Sequence, residues 1–335
     1  MNKEALFYQS IGNQTVQCVL CPHQCVLQDG KAGICRVRHN EKGVLITDVY
    51  GFVSAIHFDP IEKKPLYHFY PGSIILSIGS YGCNFRCQFC QNYTISQSAV
   101  EPVLVKTNLT PQQIIEKALS NPANIGIAFT YNEPTVWIEY MLDIARLAKG
   151  AGLKTVMVSN GFINEEPLNA LLECIDAFSI DIKAFTEDFY RKVTFSRLEP
   201  VKETLKRISR SGRHLELVNL LVPGENDLEH DFVAMVKWVA AELGKDTVFH
   251  ISRYFPTYKM TAEATQTAVI KRFQLLAKEE LSYVYTGNMP GESNDTFCEK
   301  CKNLLITRNY YETALSGLTS EGRCRLCGNL FLKKT

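Results

Sequence analysis

Ser73-Ile74-Ile75-Leu76-Ser77-Ile78-Gly79-Ser80-Tyr81-Gly82-Cys83-Asn84-Phe85-Arg86-Cys87-Gln88-Phe89-Cys90-Gln91-Asn92 runs from an apolar, β-branched stretch directly into three closely spaced cysteines. The first part, bounded by Gly72 and Gly79, reads as a buried strand. Cys83, Cys87 and Cys90 then follow as C-x3-C-x2-C. In α/β folds the active site gathers where strands end, so a thiol-rich loop leaving such an end is placed for chemistry. Thiolates are the usual ligands of iron–sulfur clusters, and a [4Fe–4S] cube has four irons to hold. Three cysteines leave one iron open to a substrate or cofactor. The bare spacing also fits a zinc knuckle, a disulfide with a spare thiol, or three core cysteines. The upstream strand and the flanking Gly-Cys-Asn-Phe and Cys-Gln-Asn argue for the cluster.

Outward from this stretch, apolar strands alternate with amphipathic helices. Expected strands are Ile74–Ile78, Ile125–Phe129, Thr155–Val158, Phe178–Ile182, Leu215–Val222 and Val248–Ser252, with a short seventh at Tyr283–Tyr285. Expected helices begin near Pro111, Thr135, Glu165, Val201, Leu228 and Thr261. Thr110 is an N-cap residue type and Pro111 suits the first helical position. Strands each followed by a helix imply parallel pairing through crossovers. The expected fold class is therefore α/β, an open, partial β/α barrel. It divides the chain into a cysteine-rich segment 1–71, the barrel 72–294, and a C-terminal four-cysteine segment 295–335.

The composition excludes several classes. The apolar fraction is 46%, the charged fraction 21% and the net charge +1, which fits a globular protein with no general footprint for nucleic acid. No signal peptide is legible at the N-terminus, and the apolar runs are of strand length, too short for a membrane-spanning helix. Twelve cysteines in such a chain point to metal or redox chemistry in a reducing, cytoplasmic setting. Eleven of them fall into three clusters; Cys174 stands alone and reads as a buried small hydrophobe.

The motif C-x3-C-x-φ-C, with Phe89 as the aromatic, resembles the signature of radical S-adenosylmethionine (SAM) enzymes. The resemblance implies an oxidoreductase in which SAM chelates the open iron. Reduction of the cluster then cleaves a carbon–sulfur bond and releases a 5′-deoxyadenosyl radical that abstracts a hydrogen atom. A reductant such as flavodoxin or ferredoxin is implied with it. Thr130-Tyr131-Asn132-Glu133-Pro134 stands where the family has Gly-Gly-Glu-Pro, so Glu133 is expected to hold the SAM amino group. The two glycines are absent, and Glu133 also suits a helix start. Val158-Ser159-Asn160-Gly161 resembles the Asp-Thr-Asn-Gly of glycyl-radical-enzyme activases, with Ser159 and Asn160 matching in type and Val158 replacing the aspartate. Asp181 and Lys183 resemble the activases' Asp-x-Lys, which contacts SAM; on a strand this spacing points both to one face. Lys183 would neutralise the SAM carboxylate as a point charge. Val222-Pro223-Gly224 lies where the family has a turn beside the adenine, while His250 and Arg253 read either as substrate-mouth or as structural residues.

Two further cysteine clusters flank the barrel. Cys298, Cys301, Cys324 and Cys327 form two C-x2-C pairs separated by 22 residues, the spacing of a tetrahedral four-cysteine zinc ribbon, with a rubredoxin-like iron site as the alternative. Cys18, Cys21, Cys25 and Cys35 suit either zinc or a second iron–sulfur cluster, with His23 between them. Read together, Cys18 to Cys25, Gly33-Ile34-Cys35-Arg36, Asp59-Pro60-Ile61-Glu62-Lys63-Lys64-Pro65, the cluster loop and the final ribbon resemble the radical SAM member of the AmmeMemoRadiSam system. That family is a relative of pyruvate formate-lyase activating enzymes. The likeness spans nearly the whole chain and implies association with Memo-like and AMMECR-like proteins. It names no substrate. The alternatives are a glycyl-radical-enzyme activase and, outside the enzymes, an iron–sulfur electron carrier or scaffold.

Overall fold

The structure, a computed structural model, describes residues 3–97, 107–289, 291–309 and 311–332. Its centre is one eight-stranded sheet: β1 (Ala55–Pro60), β2 (Ile74–Gly79), β3 (Asn124–Phe129), β4 (Lys154–Ser159), β5 (Ala177–Asp181), β6 (His214–Leu221), β7 (Val248–Arg253) and β8 (Val284–Gly287). The strands lie side by side in sequence order, with β1 and β8 at the two edges. All pairs from β2 to β8 are parallel, and β1 runs antiparallel to β2. The result is an open α/β sheet rather than a closed barrel.

Six helices fill the crossovers in turn: α1 (Pro111–Leu119), α2 (Ile138–Gly150), α3 (Glu165–Leu172), α4 (Leu198–Arg210), α5 (Glu229–Glu242) and α6 (Thr267–Lys278). Parallel strands covered on both faces must be apolar along their length. Leu76, Ile78, Ile127, Phe129, Phe178 and Leu217 are accordingly buried. Helix α4 supplies one side of that cover through Leu198, Val201, Leu205 and Ile208, a spacing that lines one helical face. Helix α1 starts as its sequence dictates: the Thr110 hydroxyl accepts from the Gln113 N–H while the Gln113 side chain accepts from the Thr110 N–H, a full capping box.

All seven expected strands form. The eighth, β1, lies within the N-terminal segment yet joins the central sheet; its alternation of Ile56 and Phe58 with His57 and Asp59 is short and closes on Pro60, which masks the strand. The helix expected near Thr261 begins only at Thr267. Thr265 is held out of it, its N–H bonded to the Tyr254 carbonyl at 3.1 Å and its hydroxyl to that of Leu221 at 2.6 Å. Near Thr135 a 3-10 turn, Pro134–Trp137, precedes α2.

The N-terminal segment is a set of short antiparallel strands. The C-terminal one is a three-stranded sheet of Thr296–Phe297, Leu304–Asn309 and Glu312–Ala314. It docks on the chain's early part: Arg308 donates to the Tyr67 carbonyl at 2.7 Å, and the Thr313 hydroxyl to Glu62 at 2.9 Å.

Candidate active site

The cysteine loop leaves the carboxyl end of β2 and is fixed from three directions. Asn132, after β3, accepts from the Ser80 N–H at 3.0 Å and donates to the Gly82 carbonyl at 2.8 Å. Asn84 donates to the Phe162 carbonyl, after β4, at 2.9 Å. The N–H groups of Arg86 and Gln88 bond the Thr194 and Val193 carbonyls, after β5, at 2.9 and 3.1 Å. A rigid scaffold of strand ends thus positions an irregular loop, the usual arrangement of a reactive site.

Glu133, at the end of β3, is almost wholly buried. One carboxylate oxygen accepts from the Thr135 N–H (3.0 Å), the Thr135 hydroxyl (2.6 Å) and the Ser159 hydroxyl (2.8 Å). Among the described residues the other accepts only from the Asn160 N–H, at 2.9 Å, which leaves it a lone pair. Burial raises the Glu133 pKa above the usual carboxylate value, and these donors oppose the shift. Glu133 caps the turn beginning at Pro134, and its charge lies close enough to raise the Cys83 thiol pKa. Asn160 joins the two. Its side-chain amide donates to Asn84 at 2.8 Å and lies 3.8 Å from the Cys83 sulfur.

Asp181 and Lys183 do meet, with Lys183 Nζ 2.6 Å from the Asp181 carboxylate. Burial works against the Lys183 charge, but Asp181 and then Cys87 outweigh it and hold the pKa above the ordinary lysine value. Its ammonium also lies 5.8 Å from the centre of the Phe89 ring. The structure therefore brings Cys83, Cys87, Cys90, Phe89, Glu133, Ser159, Asn160, Asp181 and Lys183 to one end of the sheet. His250 belongs elsewhere. It is buried against Glu216, with Nε2 2.7 Å from the carboxylate, so its structural reading holds. Arg253 bonds the Thr265 carbonyl at 2.7 Å.

All twelve cysteines are free thiols, which removes the disulfide alternative. Among the described residues, Cys298, Cys301, Cys324 and Cys327 are the one group of His, Cys, Asp and Glu ligand atoms lying within 4.8 Å of one another. Cys298 and Cys327 are 3.6 Å apart at sulfur, as are Cys301 and Cys324, the separation of thiolates around one tetrahedral ion. Cys83, Cys87 and Cys90 form no such tight group. One ion would gather three sulfurs; a cube gives each cysteine a different iron and spreads them. The Phe85 N–H points at the Cys83 sulfur at 3.3 Å, a donor suited to a ligating thiolate. Burial pushes the Cys87 thiol up to about 12 and the Cys83 thiol well above its ordinary value, so cationic irons must displace these protons. This donor set fits an iron–sulfur cluster.

Sequence reasoning passed over Asn132, Asn84 and Glu216. Glu216 on β6 is fully buried and accepts from the Tyr67 and His68 N–H groups and from His214 and His250, at 2.7 to 2.9 Å. A charged residue inside an apolar strand was the available signal, because such a group must be paired.

Residues 77–239 match the Radical SAM superfamily. An uncharacterized protein of Methanocaldococcus jannaschii is 42% identical over 330 residues, which cover 97% of this chain and 98% of that protein. The pyruvate formate-lyase-activating enzyme of Listeria monocytogenes is 22% identical over 164 residues, 47% of this chain and 66% of the enzyme. The crystal structure of a radical SAM methyltransferase from Sphaerobacter thermophilus superposes with a TM-score of 0.52 at 15% identity, over 65% of this chain and 67% of that one, a likeness of fold.

Proposed function

We propose that this chain, which belongs with the Methanocaldococcus jannaschii protein to one family and carries a radical SAM domain, is an oxidoreductase that binds a [4Fe–4S] cluster through Cys83, Cys87 and Cys90 and cleaves SAM reductively. The observation that carries the reading is the convergence of groups from the ends of β3, β4 and β5 on the three-thiol loop of β2. When bound, the reduced cluster gives one electron to SAM, yielding methionine and a 5′-deoxyadenosyl radical that takes a hydrogen atom from a substrate.

The chain's own residues bind and orient. The free lone pair of Glu133 receives the SAM amino group, and Ser159 and the Asn160 N–H fix that carboxylate in place. Lys183 faces the SAM carboxylate, with Asp181 keeping it charged and Phe89 packed beside it. Cys298, Cys301, Cys324 and Cys327 hold zinc in a closed site that supports the fold or docks a partner, because four thiolates leave no open position. The order of sequence blocks along the chain supports membership of the AmmeMemoRadiSam system with Memo-like and AMMECR-like partners, and the radical SAM resemblance supports a flavodoxin or ferredoxin donor. Activation of a glycyl radical enzyme is the second reading. The likeness to the Listeria enzyme supports it, and Val158 in place of the activases' aspartate weighs against it.

The test is anaerobic reconstitution, strong reduction, and product analysis with SAM in the presence and absence of candidate partners. Equal amounts of 5′-deoxyadenosine and methionine are expected. A fully reconstituted, reduced protein that never forms 5′-deoxyadenosine would favour the electron-carrier alternative.

A further inference from the structure

The N-terminal thiols take no part in the site just described, yet Cys18, Cys21, Cys25 and Cys35 all line one small, largely enclosed cavity of about 20 Å³. Leu20, Leu27 and Val136 complete an apolar wall. The C-terminal four-thiol group serves as an internal standard. There the sulfurs close to within 4.8 Å of one another, as one tetrahedral ion demands, whereas no three of the N-terminal thiols do. Four thiols that surround a common void without converging on a point suit a polynuclear core better than a single ion.

Arg38 is the second, independent pointer. It lines the same cavity and is 1% exposed. One terminal nitrogen binds Glu139 at 2.8 Å, and the other donates to the Leu6 carbonyl. Its Nε–H has no partner. An unpaired buried donor of this kind is costly unless something occupies the space it faces. A thiolate-bound iron–sulfur core is rich in sulfide acceptors, so it answers the unused N–H.

We propose that Cys18, Cys21, Cys25 and Cys35 bind a second iron–sulfur cluster, with Arg38 as its positioning residue. With all four ligands supplied by protein, this cluster has no open iron for SAM and serves to hold and pass single electrons. Its loop abuts the first one. His23 Nε2 lies 2.8 Å from the carbonyl of Asn84, the neighbour of Cys83, and the Cys35 carbonyl sits against Gly82.

The experiment measures iron, acid-labile sulfide and zinc in the full chain after anaerobic reconstitution, with electron paramagnetic resonance after dithionite reduction. The informative variant is C83A/C87A/C90A, which leaves the N-terminal segment intact. It is expected to retain about two or about four irons with matching sulfide, and to give a paramagnetic signal on reduction. Cys21→Ala/Cys25→Ala is expected to lose that increment while keeping the Cys83 cluster. If C83A/C87A/C90A is devoid of sulfide and carries two zinc ions, the N-terminal site is a zinc site and the proposal falls. Because that variant lacks the first cluster, its result is independent of whether the SAM reading survives. In Arg38→Gln the increment is expected to persist with a shifted reduction potential; an unshifted potential would remove Arg38 from the site.

Discussion

Replacing Gly82 by alanine tests how closely the two cysteine loops depend on each other. Gly82 has φ +83, a left-handed conformation that costs a non-glycine residue roughly 1–2 kcal/mol. A Cβ here would lie 2.7 Å from a methyl of Val37 and 2.8 Å from the Cys35 carbonyl oxygen. Ordinary contact begins at 3.4 Å, so loop and carbonyl must part by 3.4 − 2.8 = 0.6 Å. Val37 is fully buried and cannot swing away. Overpacking of this kind adds roughly 1–3 kcal/mol. The variant should therefore be destabilised by roughly 2–5 kcal/mol, read as a lowered urea midpoint under anaerobic conditions. The displacement falls on the residue before Cys83 and on the backbone of Cys35, so iron retention should drop at both loops. A variant within about 0.5 kcal/mol of wild type, with full iron and sulfide, would refute the idea that the loops are packed against one another.

Lys183→Ala should weaken SAM binding by roughly 1–3 kcal/mol, measured by equilibrium binding to the reconstituted protein; unchanged affinity would take Lys183 off the SAM carboxylate. Glu216→Ala leaves the Tyr67 and His68 N–H groups buried without an acceptor and should cost roughly 2–6 kcal/mol in urea unfolding; a loss below 1 kcal/mol would contradict that accounting. Burial pushes His68 down from 6.5 to about 3, so it stays neutral in the folded chain while its unfolded counterpart takes a proton. Its share of stability is complete above about pH 6.5 and is lost as pH falls from there towards about 3. The urea midpoint should drop between pH 7 and pH 5, and less so in His68→Asn; an equal drop in both would dismiss His68 as the source. Cys324→Ser should lower stability or partner binding more than SAM cleavage, and the opposite ranking would assign the C-terminal thiols to the reaction.

The sheet was legible because its strands are buried on both faces: Ile74 to Ile78 or Phe178 to Ile182 can be nothing else once bounded by turn residues. β1 was not, since the alternation of Ile56 and Phe58 with His57 and Asp59 is short and ends on Pro60, a residue that argues against a strand. Among the site residues, the cysteines announce themselves by spacing, while Asp181 and Lys183 stand out only through the resemblance to the activases' Asp-x-Lys. Asn132 and Asn84 do not, because their task is to bond backbone carbonyls and side chains distant in sequence. The contrast between the convergent C-terminal thiols and the spread N-terminal ones is likewise three-dimensional, since each set is four cysteines opening on a C-x2-C pair and the sulfur separations show only in the fold.

The docking of the C-terminal sheet on Glu62 and Tyr67 spans 251 and 241 residues of chain. A ribosome releases the chain from its N-terminus, so the Tyr67 carbonyl waits for Arg308 while the next 241 residues emerge. The Cys18–Cys35 and Cys83–Cys90 stretches are complete long before that moment. Their thiols thus emerge while the chain is still growing, and the later-made Arg308 and Thr313 segment fastens the stretch from Glu62 to Tyr67.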